Sequence, residues 1–258
     1  MSEINVQETS RIDPPKTIAN QPRNVDIRLA CVEDGLDNIG FRKFAASVKL
    51  NHRNTKAAYI PLGNVRGYIK LMSEKSYSIL NEQDIHKIAQ FLSEGDVVGM
   101  SSMTPYSETV AKIINKIRNI NSNIYIVWGG IHAIMYPEDA IKYADAVCTG
   151  EGEFAFKTFL EFFKNGKDYT TTPSFWFNKD NKIIKNRNLP LMTPKEMDEL
   201  PPLMYEDDEL IYRQGEGFKD IIKKDYMSYL GLGYNTIWTI GCPLHCTFCG
   251  NTKFIEYD

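Results

Sequence analysis

Val98-Gly99-Met100-Ser101-Ser102-Met103-Thr104-Pro105 holds the change of period on which the fold turns. Asp96 to Ser101 is a short apolar run, carried by Val97, Val98 and Met100, of the length of a buried strand. Thr104-Pro105 then supplies a cap residue and a proline at the first position of a helix. Beyond it Val110, Ile113, Ile114, Ile117 and Ile120 recur at helical spacing and form one apolar stripe. The stretch therefore reads as strand, turn and helix, with the turn small and polar where the strand is apolar.

The same unit repeats on both sides. Upstream, Asn24 to Asp34 is a buried strand ending in Glu33-Asp34, followed by a loop from Gly35 to Gly40 and a helical pattern from Phe41 to Leu50. Ala57 to Pro61 is a second strand and Asn81 to Leu92 a second helix, with Asn64 to Tyr77 between them as a lid or an extra helix. Downstream, Ile124 to Trp128 is a strand ended by Gly129-Gly130, and Pro137 to Tyr143 a short helix. Ala144 to Cys148 is a fifth strand ended by Gly150-Glu151-Gly152-Glu153, and Phe154 to Phe163 a helix rich in aromatics. Strand–helix alternation of this kind builds a parallel sheet covered on both faces. The expected fold is α/β: a flavodoxin-like (Rossmann-like) five-stranded parallel sheet of order 2-1-3-4-5, whose ligand binds at the carboxyl ends of the strands. Those ends are Glu33 to Gly40, Ser101 to Thr104, Gly129 to His132 and Gly150 to Glu153.

The rest of the chain is organised around that unit. Residues 1–24 are polar, carry Pro14-Pro15 and read as a flexible N-terminal extension. Residues 25–168 form the first domain, and residues 169–230 a hairpin and linker. The hairpin is Ser174-Phe175-Trp176-Phe177, a polar turn from Asn178 to Lys182, and Ile183-Ile184. The acidic run Glu206-Asp207-Asp208-Glu209 reads as solvated surface. Apolar content of 43% and charged content of 24% are ordinary for a globular protein, and a net charge of −3 gives no footprint for nucleic acid. No apolar run approaches the roughly 20 residues that span a bilayer. No apolar signal core opens the chain, and the expected compartment is the reducing cytoplasm.

Near the end, Gly241-Cys242-Pro243-Leu244-His245-Cys246-Thr247-Phe248-Cys249-Gly250 sets three cysteines at C-x3-C-x2-C behind the β-type run Thr236 to Ile240. Three thiolates on one tight loop can hold three corners of a cubane iron–sulfur cluster and leave its fourth iron open. A disulfide framework fits an odd, clustered set of cysteines poorly. Structural zinc competes through His245, as C-x2-H-C-x2-C, although neighbouring His245 and Cys246 strain one tetrahedron. The spacing, with an aromatic before the last cysteine, resembles the radical SAM (S-adenosylmethionine) family. That resemblance implies a 4Fe–4S cluster on Cys242, Cys246 and Cys249, with S-adenosylmethionine chelating the open iron and Phe248 near its adenine. One electron from the cluster would release a 5′-deoxyadenosyl radical. In that family the loop follows the first strand of a β/α barrel, which takes roughly 200 residues or more. Nine residues follow Cys249, so residues 231–258 are expected to be the start of a truncated radical SAM domain, an incomplete barrel.

Three ligands compete for the first domain. A dinucleotide site wants G-x-G-x-x-G after the first strand, which Gly35 to Gly40 does not supply. A phosphorelay receiver fits Glu33-Asp34 but fails at Ser101-Ser102 and Cys148-Thr149, where it needs an aspartate and a lysine. The run from Val98 to Pro105, followed by Gly129-Gly130, resembles the cobalamin-binding domain family. Gly129-Gly130-Ile131-His132 with Pro137, Gly150-Glu151-Gly152-Glu153, and Asp34-Gly35-Leu36-Asp37-Asn38-Ile39-Gly40-Phe41-Arg42 are similar to versions joined to radical SAM domains. The resemblance covers about residues 25 to 250. It implies that the cofactor's nucleotide tail is buried beside the sheet, with contacts from Ser101, Ser102, Met103, Thr104, Gly129, Gly130, His132, Gly150, Glu151 and Gly152. Many cobalamin domains carry D-x-H-x-x-G, whose histidine ligates cobalt. Here the histidine place holds Asp37 counted from Gly40, or Leu36 counted from Asp34. A cobalt lower ligand other than a protein histidine is expected.

Other residues have plainer readings. His132 either meets the corrin or anchors the turn after the fourth strand, and Glu151 and Glu153 either meet the cofactor or cap the last helix. Cys31 and Cys148 read as unreactive core, Trp176 and the phenylalanines from Phe154 to Phe163 as core, and His52 and His86 as surface. Taken together the resemblances imply a cobalamin-dependent radical SAM enzyme, most commonly one that transfers methyl to an unactivated carbon or phosphorus. Oxidative cyclisation or rearrangement is the alternative within the family, and a cobalamin- or zinc-binding module without radical chemistry the alternative outside it. The implied partners are a small-molecule or peptide substrate and an electron donor such as flavodoxin or ferredoxin, with no nucleic acid and no membrane.

Overall fold

The computed structural model describes residues 24–62, 80–203, 205, 208–230, 244 and 246–250. The N-terminal extension, the segment Asn64 to Tyr77, the run Thr236 to Ile240, and Cys242 and His245 lie outside the described residues. One nine-stranded sheet organises the molecule. Its centre is β1 (Ile27–Glu33), β2 (Thr55–Pro61), β3 (Val97–Ser102), β4 (Tyr125–Gly129) and β5 (Ala146–Cys148), all parallel and in the order 2-1-3-4-5. The register is set by apolar alternation on both faces. Leu29 and Cys31 point to one core while Ala30 and Val32 point to the other, and Tyr125 and Val127 alternate likewise with Ile126 and Trp128.

Helices α1 (Ile39–Asn51) and α6 (Gly152–Lys164) cover the first face. Phe41, Ala45 and Val48 of α1 meet Phe156, Phe159 and Leu160 of α6 there. Helices α2 (Glu82–Leu92) and α3 (Ser107–Ile120) cover the second face through Ile85, Ile88, Val110, Ile113 and Ile117. Asn38 caps α1 by accepting from Phe41 N at 2.6 Å, and Asn81 and Asp84 form a capping box at the start of α2.

Several expectations are corrected. Thr104-Pro105 does not open α3: residues Thr104–Tyr106 form a 3-10 turn with Met103 at its N-cap, and α3 begins at Ser107. The tighter turn carries the Tyr106 hydroxyl to Asp34 at the end of β1. Gly130 is followed by two short helices, α4 (Ile131–Met135) and α5 (Pro137–Ala140), rather than one. The sheet is also wider than five strands. The hairpin β6 (Phe175–Lys179) and β7 (Lys182–Lys185) extends it antiparallel beside β5, its turn formed by Asp180 and Asn181 at positive φ.

After a short helix α7 (Pro194–Glu199), the chain reaches the opposite edge. There β8 (Leu210–Arg213) pairs parallel with β2, β9 (Gly217–Asp220) returns antiparallel, and α8 (Lys223–Leu230) follows. Glu209, read as part of a solvated acidic run, is instead 3% exposed. It takes the Arg42 guanidinium at 2.5 Å and the hydroxyls of Tyr59 and Tyr226 at 3.2 and 2.9 Å. His52 is half-buried at the end of α1 rather than on the surface, 3.5 Å from Lys164 Nζ, whereas His86 is exposed. Trp176 is half-buried, with Lys185 Nζ 3.9 Å from the centre of its ring. No helix among the described residues is long and apolar enough to cross a membrane.

Candidate functional site

In a sheet of this order the connections diverge at β1 and β3, and the carboxyl ends there leave a crevice that helices cannot fill. A cavity of about 330 Å³ opens at that point, between the sheet and the α1/α6 layer. Its floor is Gly99, Met100 and Ser101 of β3 and Val127 and Gly129 of β4. Its walls are Phe41 and Phe44 of α1, Ile131 and Ile134 of α4, and Phe156 of α6. Gly130, Cys148, Gly150 and Gly152 line the side toward β5, and Glu33, Asn38, Gly40 and Glu153 complete the ring.

Glycine is required at one of these places, and at another there is little room for a side chain. Gly130 sits at φ 84°, and a Cβ on it would lie 2.7 Å from Ser101 Oγ and 2.9 Å from the backbone nitrogen of Ser102. Gly99 stands inside a strand, where a Cβ would lie 2.7 Å from Leu29 Cδ2.

Of the residues singled out from the sequence, Ser101, Gly129, Gly130, Gly150 and Gly152 come together on this cavity. The others stand around it. Ser102 is fully buried and accepts from Trp128 Nε1 at 3.1 Å. Met103 is 44% exposed, and Thr104 lies on the surface beside it. Glu151 accepts from Met192 N at 2.8 Å, which ties the β5–α6 loop to the segment after the hairpin. His132 packs on Trp128 and Tyr136, with Nε2 3.5 Å from Asp139 Oδ2. Burial lowers its pKa, and the nearby Asp139 carboxylate opposes that shift only in part. It does not line the cavity.

The strand end Glu33 to Gly40, expected from the sequence to meet the ligand, does contribute Glu33, Asn38 and Gly40; sequence reasoning missed Gly99 and the aromatic wall of Phe41, Phe44 and Phe156. The glycine interrupting the apolar run Val97 to Met100 was the available signal. The phenylalanines gave none, because a wall and a core look alike in sequence. Cys148 is both core and cavity lining. Burial pushes its thiol up to about 12, and Sγ donates to Gly150 O at 3.6 Å. Burial also raises the Glu153 carboxyl, against the backbone N–H groups of Glu153 and Gly152 that it accepts at the start of α6.

The loop from Asp34 to Gly40 closes the cavity's outer side. Leu36 is fully buried and its carbonyl accepts from Arg42 Nη2 at 3.2 Å, while Asp37 is half-buried. No histidine lines the cavity among the described residues. The cysteine loop is described in part. Cys246 and Cys249 are half-buried on one turn, closed by Cys249 N donating to Cys246 O at 3.0 Å. Phe248 is 91% and Leu244 62% exposed. A Cβ on Gly250 would lie 3.6 Å from Met135 Sδ, so the end of this loop rests against α4, the helix that walls the cavity. No cluster of three metal-ligating side chains occurs among the described residues, a set that excludes Cys242.

Comparison with known proteins places the chain. It belongs to the B12-binding domain family, which matches residues 27–160, more than half of its length. It is 28% identical over 180 residues to the uncharacterized methyltransferase PH0819 of Pyrococcus horikoshii, covering 67% of this chain and 35% of that one. It is 26% identical over 195 residues to the cytidylyl-2-hydroxyethylphosphonate methyltransferase of Streptomyces wedmorensis, covering 68% and 36%. The chain thus spans about a third of the length of these curated relatives. Among solved structures it is similar to the cobalamin-dependent S-adenosylmethionine radical enzyme OxsB, at 13% identity and TM-score 0.49 over 68% of this chain and 24% of that one. It is also similar to the radical S-adenosylmethionine methyltransferase TsrM of Kitasatospora setae, at 13% identity and TM-score 0.46 over 68% and 31%. These last two likenesses concern the fold alone.

Proposed function

We propose that this member of the B12-binding family is the cobalamin-holding part of a radical S-adenosylmethionine enzyme that transfers a methyl group to an unactivated centre. The observation that carries the reading is the cavity at the carboxyl ends of β3 and β4, in front of Gly129-Gly130 and between α1 and α6. A volume of about 330 Å³ is at the low end for small-molecule sites, so its lining would take the nucleotide tail of the cofactor rather than the larger macrocycle.

The residues present fit that group. The glycine floor lets a planar base approach the backbone, and Phe41, Phe44 and Phe156 give it apolar walls that exclude water. The Ser101 hydroxyl is the polar handle. Cys246 and Cys249, together with Cys242, are the thiolates that would hold the cluster. A turn that brings two of them half-buried onto one loop suits that role. Bound cobalamin would supply a cobalt centre able to take up and release methyl, and the cluster would supply the electron that cleaves S-adenosylmethionine. The methyltransferase names of the two curated relatives support methyl transfer over cyclisation.

Anaerobic reconstitution with iron, sulfide and hydroxocobalamin, followed by metal analysis of the desalted protein, tests this. About four irons with one cobalt per chain is the expected result. Cobalt without iron would reduce the reading to a cobalamin carrier. Zinc at the cysteines, with neither iron nor cobalt, would overturn it.

A further inference from the structure

We propose that the chain carries a second site, for a small carboxylic acid with an apolar body, in a groove between α4–α5 and the β6–β7 hairpin. It is separate from the cavity in front of β3 and β4 and does not depend on what that cavity holds.

The groove encloses about 440 Å³. Side chains alternate across the sheet, and that alternation sets the two cavities apart. Phe175 and Phe177 of β6 join the core of the first face, whereas Trp176 between them turns to the second. At the end of β5, Cys148 and Gly150 line the first cavity and Thr149 lines the groove. Ile134 of α4 borders both.

The lining divides into an apolar and a charged part. Ile134, Pro137, Pro190 and the Trp176 ring make the apolar part. Lys185 covers one face of that ring, with Nζ 3.9 Å from its centre, and lies 3.7 Å from Glu138 Oε1, so its charge is already engaged. Among the described residues the lining itself carries one charged side chain, Arg187, and no carboxylate. The chain is anchored at and on both sides of that residue. Asn186 Nδ2 donates to the Thr170 and Thr172 carbonyls, each at 2.8 Å. Asn188 accepts from Thr149 Oγ1 at 2.7 Å and donates to Thr149 O at 3.3 Å. The Arg187 carbonyl accepts from Ser174 N at 2.8 Å. Its guanidinium is exposed and makes no hydrogen bond or ion pair among the described residues.

A planar fork of N–H donors beside apolar surface fits a carboxylate, which it can meet with two parallel hydrogen bonds. One positive charge matches a monoanion rather than a phosphate dianion. The anchored backbone lowers the entropy lost when the acid binds. The body of the acid then covers Trp176, Ile134 and the prolines and leaves water.

The test titrates phenylacetate into the full chain and follows the indole N–H signals by nitrogen-edited NMR. The sequence holds three tryptophans, and the Trp176 signal is the one absent from Trp176→Phe. Phenylacetamide, which lacks the charge, and acetate, which lacks the body, are titrated alongside. The Trp176 signal is expected to shift saturably with phenylacetate, at a dissociation constant on the order of 1–10 mM. Phenylacetamide and acetate should each bind at least about fivefold more weakly, the worth of a partly exposed ion pair or of a small apolar contact. Arg187→Gln should bring phenylacetate to the level of phenylacetamide, and Arg187→Lys should recover part of the loss. Unmoved signals from the other two tryptophans report that these variants keep the fold. Prior saturation with hydroxocobalamin should leave the titration unchanged.

Equal affinity for phenylacetate and phenylacetamide, or no loss in Arg187→Gln, would overturn the carboxylate site. Acetate binding as tightly as phenylacetate would overturn the apolar body. No saturable shift with any of the three would overturn the groove as a site. A titration blocked by hydroxocobalamin would assign the groove to the cofactor and overturn its separateness.

Discussion

Replacing Arg42 by methionine tests whether the segment leading into β8 is locked to the rest of the sheet by a buried ion pair. Arg42 on α1 is 2% exposed and Glu209, just before β8, is 3% exposed. The guanidinium sits between the Tyr59 and Tyr205 rings, 4.8 and 4.3 Å from their centres, and also holds the Leu36 carbonyl. Removing it leaves a buried carboxylate with only the Tyr59 and Tyr226 hydroxyls for compensation. Stranding a buried charge in this way costs about 3–5 kcal/mol. At about 2–4 °C per kcal/mol for a domain of this size, Arg42→Met should lower Tm by about 6–20 °C.

The double variant Arg42→Met/Glu209→Gln should recover more than half of that loss. A neutral amide oxygen can still accept from both tyrosines and has no charge to desolvate. Urea unfolding of wild type, both single variants and the double variant closes the cycle, provided the slope with denaturant stays constant. The loss should also change little between low and high salt, because a buried pair is poorly screened. A single-variant loss below about 1 kcal/mol, in the range of surface pairs, would refute the argument. Strict additivity in the double variant would refute it too.

Three further outcomes follow from the geometry. Gly130→Ala forces a Cβ against Ser101 Oγ and the Ser102 backbone in a left-handed conformation, and should cost about 2–4 kcal/mol and abolish retention of cobalamin on desalting; a stable variant that still holds cobalt would show that the turn is not fixed. Burial lowers the His132 pKa against the pull of Asp139, so the unfolded chain takes up the proton first, and stability falls as pH drops below about 6.5, the ordinary histidine value. His132→Phe keeps an aromatic ring against Trp128 and should reduce the fall of Tm between about pH 7 and pH 5, with His52, whose pKa burial also lowers, supplying part of the remainder, whereas an unchanged slope there would assign the acid sensitivity elsewhere. Burial raises both the Cys31 and Cys148 thiols, the second to about 12, so alkylation of the native protein at about pH 8 should spare both until denaturant is added; labelling of Cys148 in the native state, read by mass spectrometry, would contradict the burial of its thiol.

The centre of the sheet is legible in the sequence because each of its strands is buried on both faces and each is followed by a helical stripe. Period and handedness then leave few topologies, and the observed order 2-1-3-4-5 is the expected one. The edges are not legible in the same way. The hairpin of β6 and β7 could be read from Phe175 to Ile184, yet nothing local says that Phe175 pairs with Cys148. That pairing is set by which strand of the core remains open. Glu209 was hidden for a related reason. In sequence it is the last of four acids, and only its place at the start of β8, facing Tyr59, separates it from its neighbours.

The extra strands matter for the site because of where they return the chain. Asp84, in the first turn of α2, accepts from Tyr212 Oη at 2.7 Å and from Gly215 N at 2.8 Å, which pins the β8–β9 turn. Arg213 Nη2 donates to both carboxylate oxygens of Asp225, at 2.8 and 2.9 Å, which orients the start of α8 against β8. Helix α8 then runs back to the carboxyl end of β1. A Cβ on Gly35 there would lie 3.1 Å from Tyr229 Cδ1. The loop Asp34 to Gly40 is thus held from two sides: by Arg42 through the Leu36 carbonyl, and by Tyr229 against Gly35. These clamps deliver the chain at Leu230 to the loop that closes the cavity, and the cysteine loop ends against α4 on the cavity's other wall. The strands beyond the central five therefore hold α8 against the loop Asp34 to Gly40, beside the end of β1 where Glu33 and Asn38 line the cavity.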